Sequence, residues 1–218
     1  MIDKETRDKV EYIGSKLDEM FENPQCELEY YTPYELLVAV ILSAQCTDKR
    51  VNIVTTQLFK EANTPEKMIK LSQEELEAKI HSCGFYHNKA KNILSMSKDL
   101  IEKFDGQVPN DLEKLQTLAG VGRKTANVVY SEAFKGDAIA VDTHVLRVSN
   151  RLGLVKTDDP KKCELHLMKL FDKGRWSKLH LQLVHFGRYV CKSIKPNCSE
   201  CPFTNICNYY AVHNSQQH

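Results

Sequence analysis

The sequence predicts an all-α fold. Helix start signals recur along it, with a capping residue followed by proline in Thr32-Pro33, Thr64-Pro65 and Asp159-Pro160. The charged segment 3–22 carries its apolar residues at helical spacing. No strand signal is longer than residues 139–141. Together these observations predict helix after helix, with no sheet.

The elements follow in order. In segment 3–22 the apolar face is formed by Val10, Ile13 and Leu17, and a polar loop leads to the next helix. A capping box at Ser72 opens a helix that ends at Cys83-Gly84, where glycine serves as the C-cap. The remaining helices are predicted at 51–61, from 64, and at 89–104, 110–117, 123–134, 143–152, 159–171 and 177–191.

The helix that follows Thr32 is the predicted central rod of a domain. Glu35 completes a capping box with Thr32, and the run 36–42 behind it has no polar face. A helix without a polar face is buried. Its exit, residues 43–48, is abruptly polar, which makes this segment a candidate for function.

Composition narrows the class of protein. The 218 residues are 42% hydrophobic and 27% charged, which is typical of a soluble globular protein. The longest apolar run, 36–42, is too short to cross a bilayer, and the charged N-terminus has no signal-peptide pattern. We therefore expect a cytoplasmic protein. The net charge of +1 excludes a global basic field, so a polyanion must be bound by a local patch.

A glycine turn, Gly120-Val121-Gly122, leads directly into an amphipathic segment that begins with Arg123 and Lys124. Backbone amides at a helix N-terminus can bind a phosphate without reading base sequence. Gly-x-Gly alone is a weak motif, since an ordinary turn between two helices has the same pattern.

Lys124 and Asp142 are candidate chemical groups. Lys124 is predicted on the polar face of its helix with Asn127 and Ser131, where the helix N-terminus favours the neutral, nucleophilic amine. Asp142 follows the apolar run 139–141 and can cap the next helix while stabilising positive charge on a sugar. The alternatives are a solvated surface lysine and a purely structural cap.

The eight cysteines fall into two groups. Four are scattered and are predicted to be small buried apolar residues: Cys26, Cys46, Cys83 and Cys163. Four lie within seventeen residues in the spacing C-x6-C-x2-C-x5-C: Cys191, Cys198, Cys201 and Cys207. Four thiolates suit tetrahedral zinc or an iron–sulfur cluster, and the chemistry alone leaves both open. Within this segment Lys192 and Lys195, with Arg188 before it, form a candidate phosphate-binding patch.

The stretch LAGVGRKTANVV…AIAVDTHVLRV closely resembles the helix-hairpin-helix and aspartate signature of DNA base-excision glycosylases, and the endonuclease III family in particular. The likeness extends over nearly the whole chain, through YTPYELLVAVILSAQCTD, GFYHNKAKNI and the cysteine spacing. One departure is Ala119, where the family often has proline.

The resemblance implies a helix-hairpin-helix glycosylase fold of two helical domains flanking a DNA-binding cleft. Residues 26–136 would form a helical barrel, and 1–25 with 137–218 would form the cluster domain. It implies that Lys124 is the nucleophile, that Asp142 is the catalytic carboxylate, and that the four clustered cysteines hold a 4Fe-4S cluster. The residues expected to contact DNA are Gln45, Phe85, Gly120, Val121, Gly122, Arg123, Lys192 and Lys195.

The implied activity is that of a bifunctional DNA glycosylase and AP lyase, which removes oxidised pyrimidines and cleaves the strand by β-elimination. Adenine-removing relatives generally lack a lysine at the position of Lys124. The partner would be double-stranded DNA with a damaged pyrimidine or an abasic site, bound by a monomer at the nucleoid. The alternatives are a mismatch or alkylated-base glycosylase on the same scaffold and a non-catalytic iron–sulfur DNA-binding protein.

Overall fold

The computed structural model describes residues 3–214, and within that range it contains α-helices and short 3-10 helices but no β-strand. The all-α prediction is confirmed. The α-helices are α1 Lys4–Met20, α2 Pro33–Ser43, α3 Asp48–Glu61, α4 Pro65–Met68, α5 Gln73–Ile80, α6 Tyr86–Phe104, α7 Leu112–Gln116, α8 Arg123–Phe134, α9 Thr143–Arg151, α10 Pro160–Leu170, α11 Trp176–Tyr189 and α12 Asn208–Asn214.

The backbone contacts divide the chain into two compact units. The central unit is Cys26–Gly136, and the terminal unit combines Met1–Gln25 with Asp137–His218. Each unit has its own apolar core. No helix within residues 3–214 combines the length and the apolar character needed to span a membrane.

In the central unit, α2 is buried along its length: every residue from 34 to 42 is buried. It begins with the expected capping box, in which Thr32 accepts from the Glu35 amide and the Glu35 carboxylate accepts from the Thr32 amide. Helices α3, α6 and α8 pack around it. Because α2 buries apolar side chains in every direction, it has the central position that its sequence predicts.

Several boundaries in the central unit differ from the sequence prediction. Helix α6 starts at Tyr86 rather than at residue 89, directly after Phe85, whose backbone is left-handed. Helix α7 is capped by Asp111 rather than by residue 110, because the Asp111 carboxylate accepts from the amides of Glu113 and Lys114. A 3-10 turn, His81–Cys83, separates α5 from Gly84.

In the terminal unit, α1 packs against α11. Asp18 links the two helices, since its carboxylate accepts from Arg175 (2.7 Å), Lys178 (2.8 Å) and Gln182 (2.9 Å). Burial alone would raise the pKa of Asp18, but these three donors outweigh it and hold that pKa well below its usual value. Helix α12, beyond the cysteines, was not predicted from the sequence.

Candidate functional site

The glycine turn joins α7 to α8, which pack against each other. Gly120 has φ +75°, a left-handed conformation that glycine adopts without strain. A Cβ at this position would also lie 2.9 Å from the Cβ of Asn92. The structure therefore requires glycine at 120 for two separate reasons. The arrangement is a helix-hairpin-helix.

Gly122 is the N-cap of α8, in an extended conformation with φ −82°. Because the N-cap is a glycine, it has no side chain that could cap the first turn of α8. Gly122, Arg123 and Lys124 are all exposed. An exposed helix N-terminus with glycine at the N-cap suits an anionic oxygen such as that of a phosphate.

Val121 differs from the other residues of the turn. Its side chain is only 5% exposed, and its amide donates to the carbonyl oxygen of Leu118 at 3.1 Å. Val121 was expected to contact DNA, but its side chain packs the turn against the protein and its amide is already used within the turn.

Helix α8 is more deeply buried than its sequence pattern predicts. Asn127 (2% exposed) and Ser131 (3% exposed) were expected on an outward face with Lys124, yet both are buried. The reason is that α8 packs against α2 as well as α7, so it has apolar surroundings on more than one side. Lys124 remains exposed because it lies in the first turn.

Asp142 caps α9 in the terminal unit. Its Oδ1 accepts a hydrogen bond from the amide of Val145 at 2.8 Å, and the residue is half-buried. The apolar segment before it, Ala138 to Val141, is fully buried and fixes the direction from which the chain enters the helix. The cap uses one carboxylate oxygen, which leaves Oδ2 outside this interaction.

Gln45 and Phe85 share an unusual geometry in the central unit. Both are non-glycine residues with a left-handed backbone, at φ 55° and φ 48°. Both are exposed, and the Phe85 side chain is 64% exposed, so it is not a core aromatic residue. Each lies just beyond a helix end, where a side chain can project from the surface.

The four clustered cysteines line one small cavity of about 20 Å³ in the terminal unit. Its other walls are largely apolar and include Leu152, Phe186, Val190 and Pro196. All eight cysteines of the chain are free thiols. Across residues 3–214, no group of three or more histidine, cysteine, aspartate or glutamate side chains is arranged to hold a metal ion.

Two arginines of α9 hold the start of the cysteine segment. Arg147 donates to the carbonyl oxygens of Gly187 (2.8 Å) and Cys191 (3.1 Å). Arg151 donates to the carbonyl oxygens of Lys192 (2.7 Å) and Ser193 (3.0 Å) and stacks on the ring of Tyr209. These contacts could not be predicted from local patterns, because the partners are backbone carbonyls about 40 residues away.

The remaining candidates in the terminal unit are exposed or locally paired. Lys192 and Lys195 are both exposed, and Lys195 has a left-handed backbone with φ 49°. His144 lies in the first turn of α9, and its Nδ1 is 3.2 Å from Arg147 Nη2. Its contacts place it beside the arginine that holds Cys191, which indicates a structural role.

Comparisons with known proteins agree with this geometry. Residues 38–173 match the family model described as "HhH-GPD superfamily base excision DNA repair protein". The chain is 50% identical to endonuclease III of Bacillus subtilis over 200 residues, which are 91% of each protein. It therefore belongs to the endonuclease III family.

Solved structures give the same result. A trapped endonuclease III–DNA covalent intermediate is 46% identical, with a TM-score of 0.93 over 98% of this chain and all of that one. A thermostable thymine-DNA glycosylase has a TM-score of 0.84 at 24% identity, over 95% of this chain and 99% of the other. At that identity the second comparison shows only that the fold is shared.

The two glycines of the turn give a testable contrast. Gly120→Ala should destabilise the protein by about 1–3 kcal/mol, because it forces a non-glycine residue into a left-handed backbone beside Asn92. Gly122→Ala is the matched control, with φ −82° and no atom within 4 Å of the new Cβ, and should change stability by less than about 1 kcal/mol. Urea unfolding followed by circular dichroism measures both. Equal losses would contradict the assignment of strain to Gly120.

Proposed function

We propose that Lys124 and Asp142 are the catalytic residues of this base excision repair enzyme, which is a DNA glycosylase with AP lyase activity. The observation that carries the proposal is the position of Lys124. It is an exposed amine in the first turn of α8, directly after the glycine turn of the helix-hairpin-helix, a type of turn that suits phosphate. The similar protein of 46% identity was solved as a covalent intermediate with DNA, which supports a protein nucleophile here.

The reaction follows from these two groups. The neutral amine of Lys124 attacks C1′ of the damaged nucleotide, and the bond between C1′ and the base breaks with departure of the base. Positive charge develops on the sugar, and the Asp142 carboxylate stabilises it. The nitrogen then loses a proton and the C1′–O4′ bond breaks with protonation of O4′, which opens the sugar ring and leaves a Schiff base. This Schiff base acidifies the adjacent C2′ proton, and removal of that proton expels the 3′ phosphate by β-elimination. Hydrolysis of the imine then regenerates the lysine.

Oxidised pyrimidines are the proposed substrates, which rests on the likeness to endonuclease III. The turn at 120–122 binds a backbone phosphate, and this contact does not discriminate between bases. Gln45 and Phe85 are the residues proposed to enter the duplex and replace the extruded nucleotide, and their exposure supports that role. Exposed Lys192 and Lys195 supply further phosphate contacts. We expect a cytoplasmic monomer that acts on nucleoid DNA.

The four clustered cysteines are proposed to hold a 4Fe-4S cluster. They fit it because four thiols line one cavity with largely apolar walls. When bound, the cluster would link the four cysteines of the segment 191–207 to one another through iron–thiolate bonds. The glycosylase and lyase reactions need no electron transfer, so the proposed role is structural.

The nucleophile is tested by borohydride trapping on duplex DNA that contains thymine glycol. Lys124→Gln should reduce the trapped adduct by at least about a thousandfold, since the amine that forms the Schiff base is absent. Lys70→Gln changes an exposed lysine of the same unit and should trap like the parent. If Lys124→Gln traps as well as the parent, the assignment is wrong. If the parent neither traps nor nicks, a non-catalytic DNA-binding protein is the better description.

Asp142 has two roles in this proposal: it is the N-cap of α9, and it carries the negative charge that stabilises the sugar. Two substitutions separate these roles. Asparagine is a good N-cap, so Asp142→Asn should keep the stability of the parent within about 0.5 kcal/mol. It should lower the rate of base release by about a hundredfold or more, because the charge is lost. Asp142→Ala should lose the rate and in addition about 1 kcal/mol of stability. Single-turnover base release and thermal unfolding give the two readouts, and an active Asp142→Asn would leave Asp142 only its structural role.

The cluster is tested by colour and composition. The purified protein should absorb near about 400 nm, roughly the range of iron–sulfur clusters, and contain iron and acid-labile sulfide. Cys198→Ser should lose this absorption and lower the thermal stability of the protein, because one ligand is missing. Cys26→Ser, outside the cysteine segment, is the control and should keep the colour. A colourless protein with one bound zinc would overturn the cluster assignment.

A further inference from the structure

Lys89 is a buried lysine that the proposed chemistry does not use. It lies on α6 and is only 5% exposed. Its Nζ donates hydrogen bonds to three backbone carbonyl oxygens: those of Leu42 (2.9 Å), Ala44 (2.8 Å) and Cys83 (2.9 Å). An ammonium group has three protons, so these contacts use its full donor capacity.

The three carbonyls lie in two separate parts of the chain. Leu42 and Ala44 lie at the C-terminal end of α2, directly before Gln45, and residues 43–47 are here called the Gln45 loop. Cys83 ends the 3-10 turn before Gly84 and Phe85, and residues 83–86 are called the Phe85 loop. One side chain therefore ties together the two loops whose tips are proposed to enter DNA.

Both loops need an external restraint. Gln45 and Phe85 have positive φ, and a non-glycine residue in this region costs about 1–3 kcal/mol unless its surroundings hold it there. The side chains of both tips are exposed and cannot provide that restraint themselves. Charge-assisted hydrogen bonds to backbone carbonyls, by contrast, fix the main chain directly.

A second contact joins the same loops. The thiol of Cys46, next to Gln45, is close enough to the thiol of Cys83 to act on it electrostatically. Burial raises the pKa of Cys83 to about 11, and the neighbouring Cys46 adds to that rise. Cys83 is therefore a neutral thiol at neutral pH, with the Lys89 ammonium beside it.

We propose that Lys89 is a positioning residue that holds Gln45 and Phe85 at a fixed separation, so that both side chains enter the duplex at one damaged base pair. This rests on the proposed function, since it assigns the two tips to DNA insertion. Lys89 itself does not touch DNA or the reacting atoms. It acts through the main chain of the two loops.

The test compares Lys89→Met with Lys98→Met, an exposed lysine on the same helix. Methionine has a similar length and no donor, so Lys89→Met removes the three hydrogen bonds with little change in volume. Base release from a thymine glycol duplex is measured in single turnovers. The concentration of competent enzyme is first titrated by borohydride trapping at saturating abasic-site duplex, so that loss of folded protein does not affect the rate.

Lys89→Met should slow base release by about tenfold to a hundredfold, the effect of a small displacement of positioning groups. Lys98→Met should stay within twofold of the parent. The decisive measurement repeats Lys89→Met in a Gln45→Ala/Phe85→Ala background. There it should change the rate by less than about twofold, because the side chains through which it acts are already gone.

A general structural role predicts something different. If Lys89→Met slows the reaction by the same factor in both backgrounds, or does not slow it in the parent, the proposal is overturned. It is also overturned if Gln45→Ala/Phe85→Ala releases base at the parental rate. Should Lys89→Met fail to fold, Lys89→Arg keeps the charge but displaces its donors, and the same two-background comparison applies to it. A parent that neither releases base nor traps refutes the proposed function itself.

Discussion

The complete burial of α2 is the constraint on which the central unit depends. The last four carbonyls of a helix have no partner within it, and a buried carbonyl left without a hydrogen bond is costly. Helix α2 is surrounded by other helices, so water is a poor substitute at its end. The Ser43 hydroxyl donates to the carbonyl oxygen of Val40, and the Cys46 amide donates to that of Ser43. The carbonyl oxygen of Leu42 receives its donor from another element, Lys89 of α6, which also donates to Ala44 just after the helix. The same requirement fixes the loop that follows the helix.

In the terminal unit, α9 has a comparable organising role. Asp142 caps its N-terminus, and Arg147 and Arg151, further along, hold the carbonyls of residues 191–193. The segment 191–207 contains only short 3-10 helices, so it has little regular structure of its own. A bound cluster would supply the missing links, and α9 would then join that cluster mechanically to Asp142, the proposed catalytic carboxylate. This would be a physical reason for the proposed cluster in an enzyme whose proposed chemistry is not redox.

Local signals explain what could be predicted from the sequence. The capping boxes at Thr32 and Ser72 and the prolines at helix starts depend on neighbouring residues, and the structure contains each of them. Tertiary packing explains the differences. The polar residues of α8 are buried because α2 covers them, and no local pattern reports that.

Lys89 is the clearest case of a residue that sequence reasoning missed. It stands in the apolar stripe of α6 with Ile93, Met96 and Leu100, at helical spacing. A lysine at such a position is a signal of an unusual environment, since charged residues are almost never fully buried unless paired. The hydrogen-bond partners of Lys89 could not be predicted from the sequence, because every residue has a backbone carbonyl and no sequence pattern distinguishes the three that accept. The general limit is that side-chain-to-main-chain contacts leave no trace in composition or periodicity.

In the central unit, the proposed phosphate binding and the proposed insertion into the duplex are assigned to different segments. The turn at Gly120–Gly122 is proposed to bind backbone phosphate through amide donors, which do not read base sequence, and a net charge of +1 adds little long-range attraction. Binding that is weak and indifferent to sequence suits an enzyme that must examine many intact base pairs. Selection then has to come from a step that intact pairs resist, which is extrusion of the nucleotide. That step depends on side chains held rigidly enough to enter the duplex, because a mobile side chain would lose entropy on insertion. The buried ammonium of Lys89 supplies that rigidity where the exposed tips cannot.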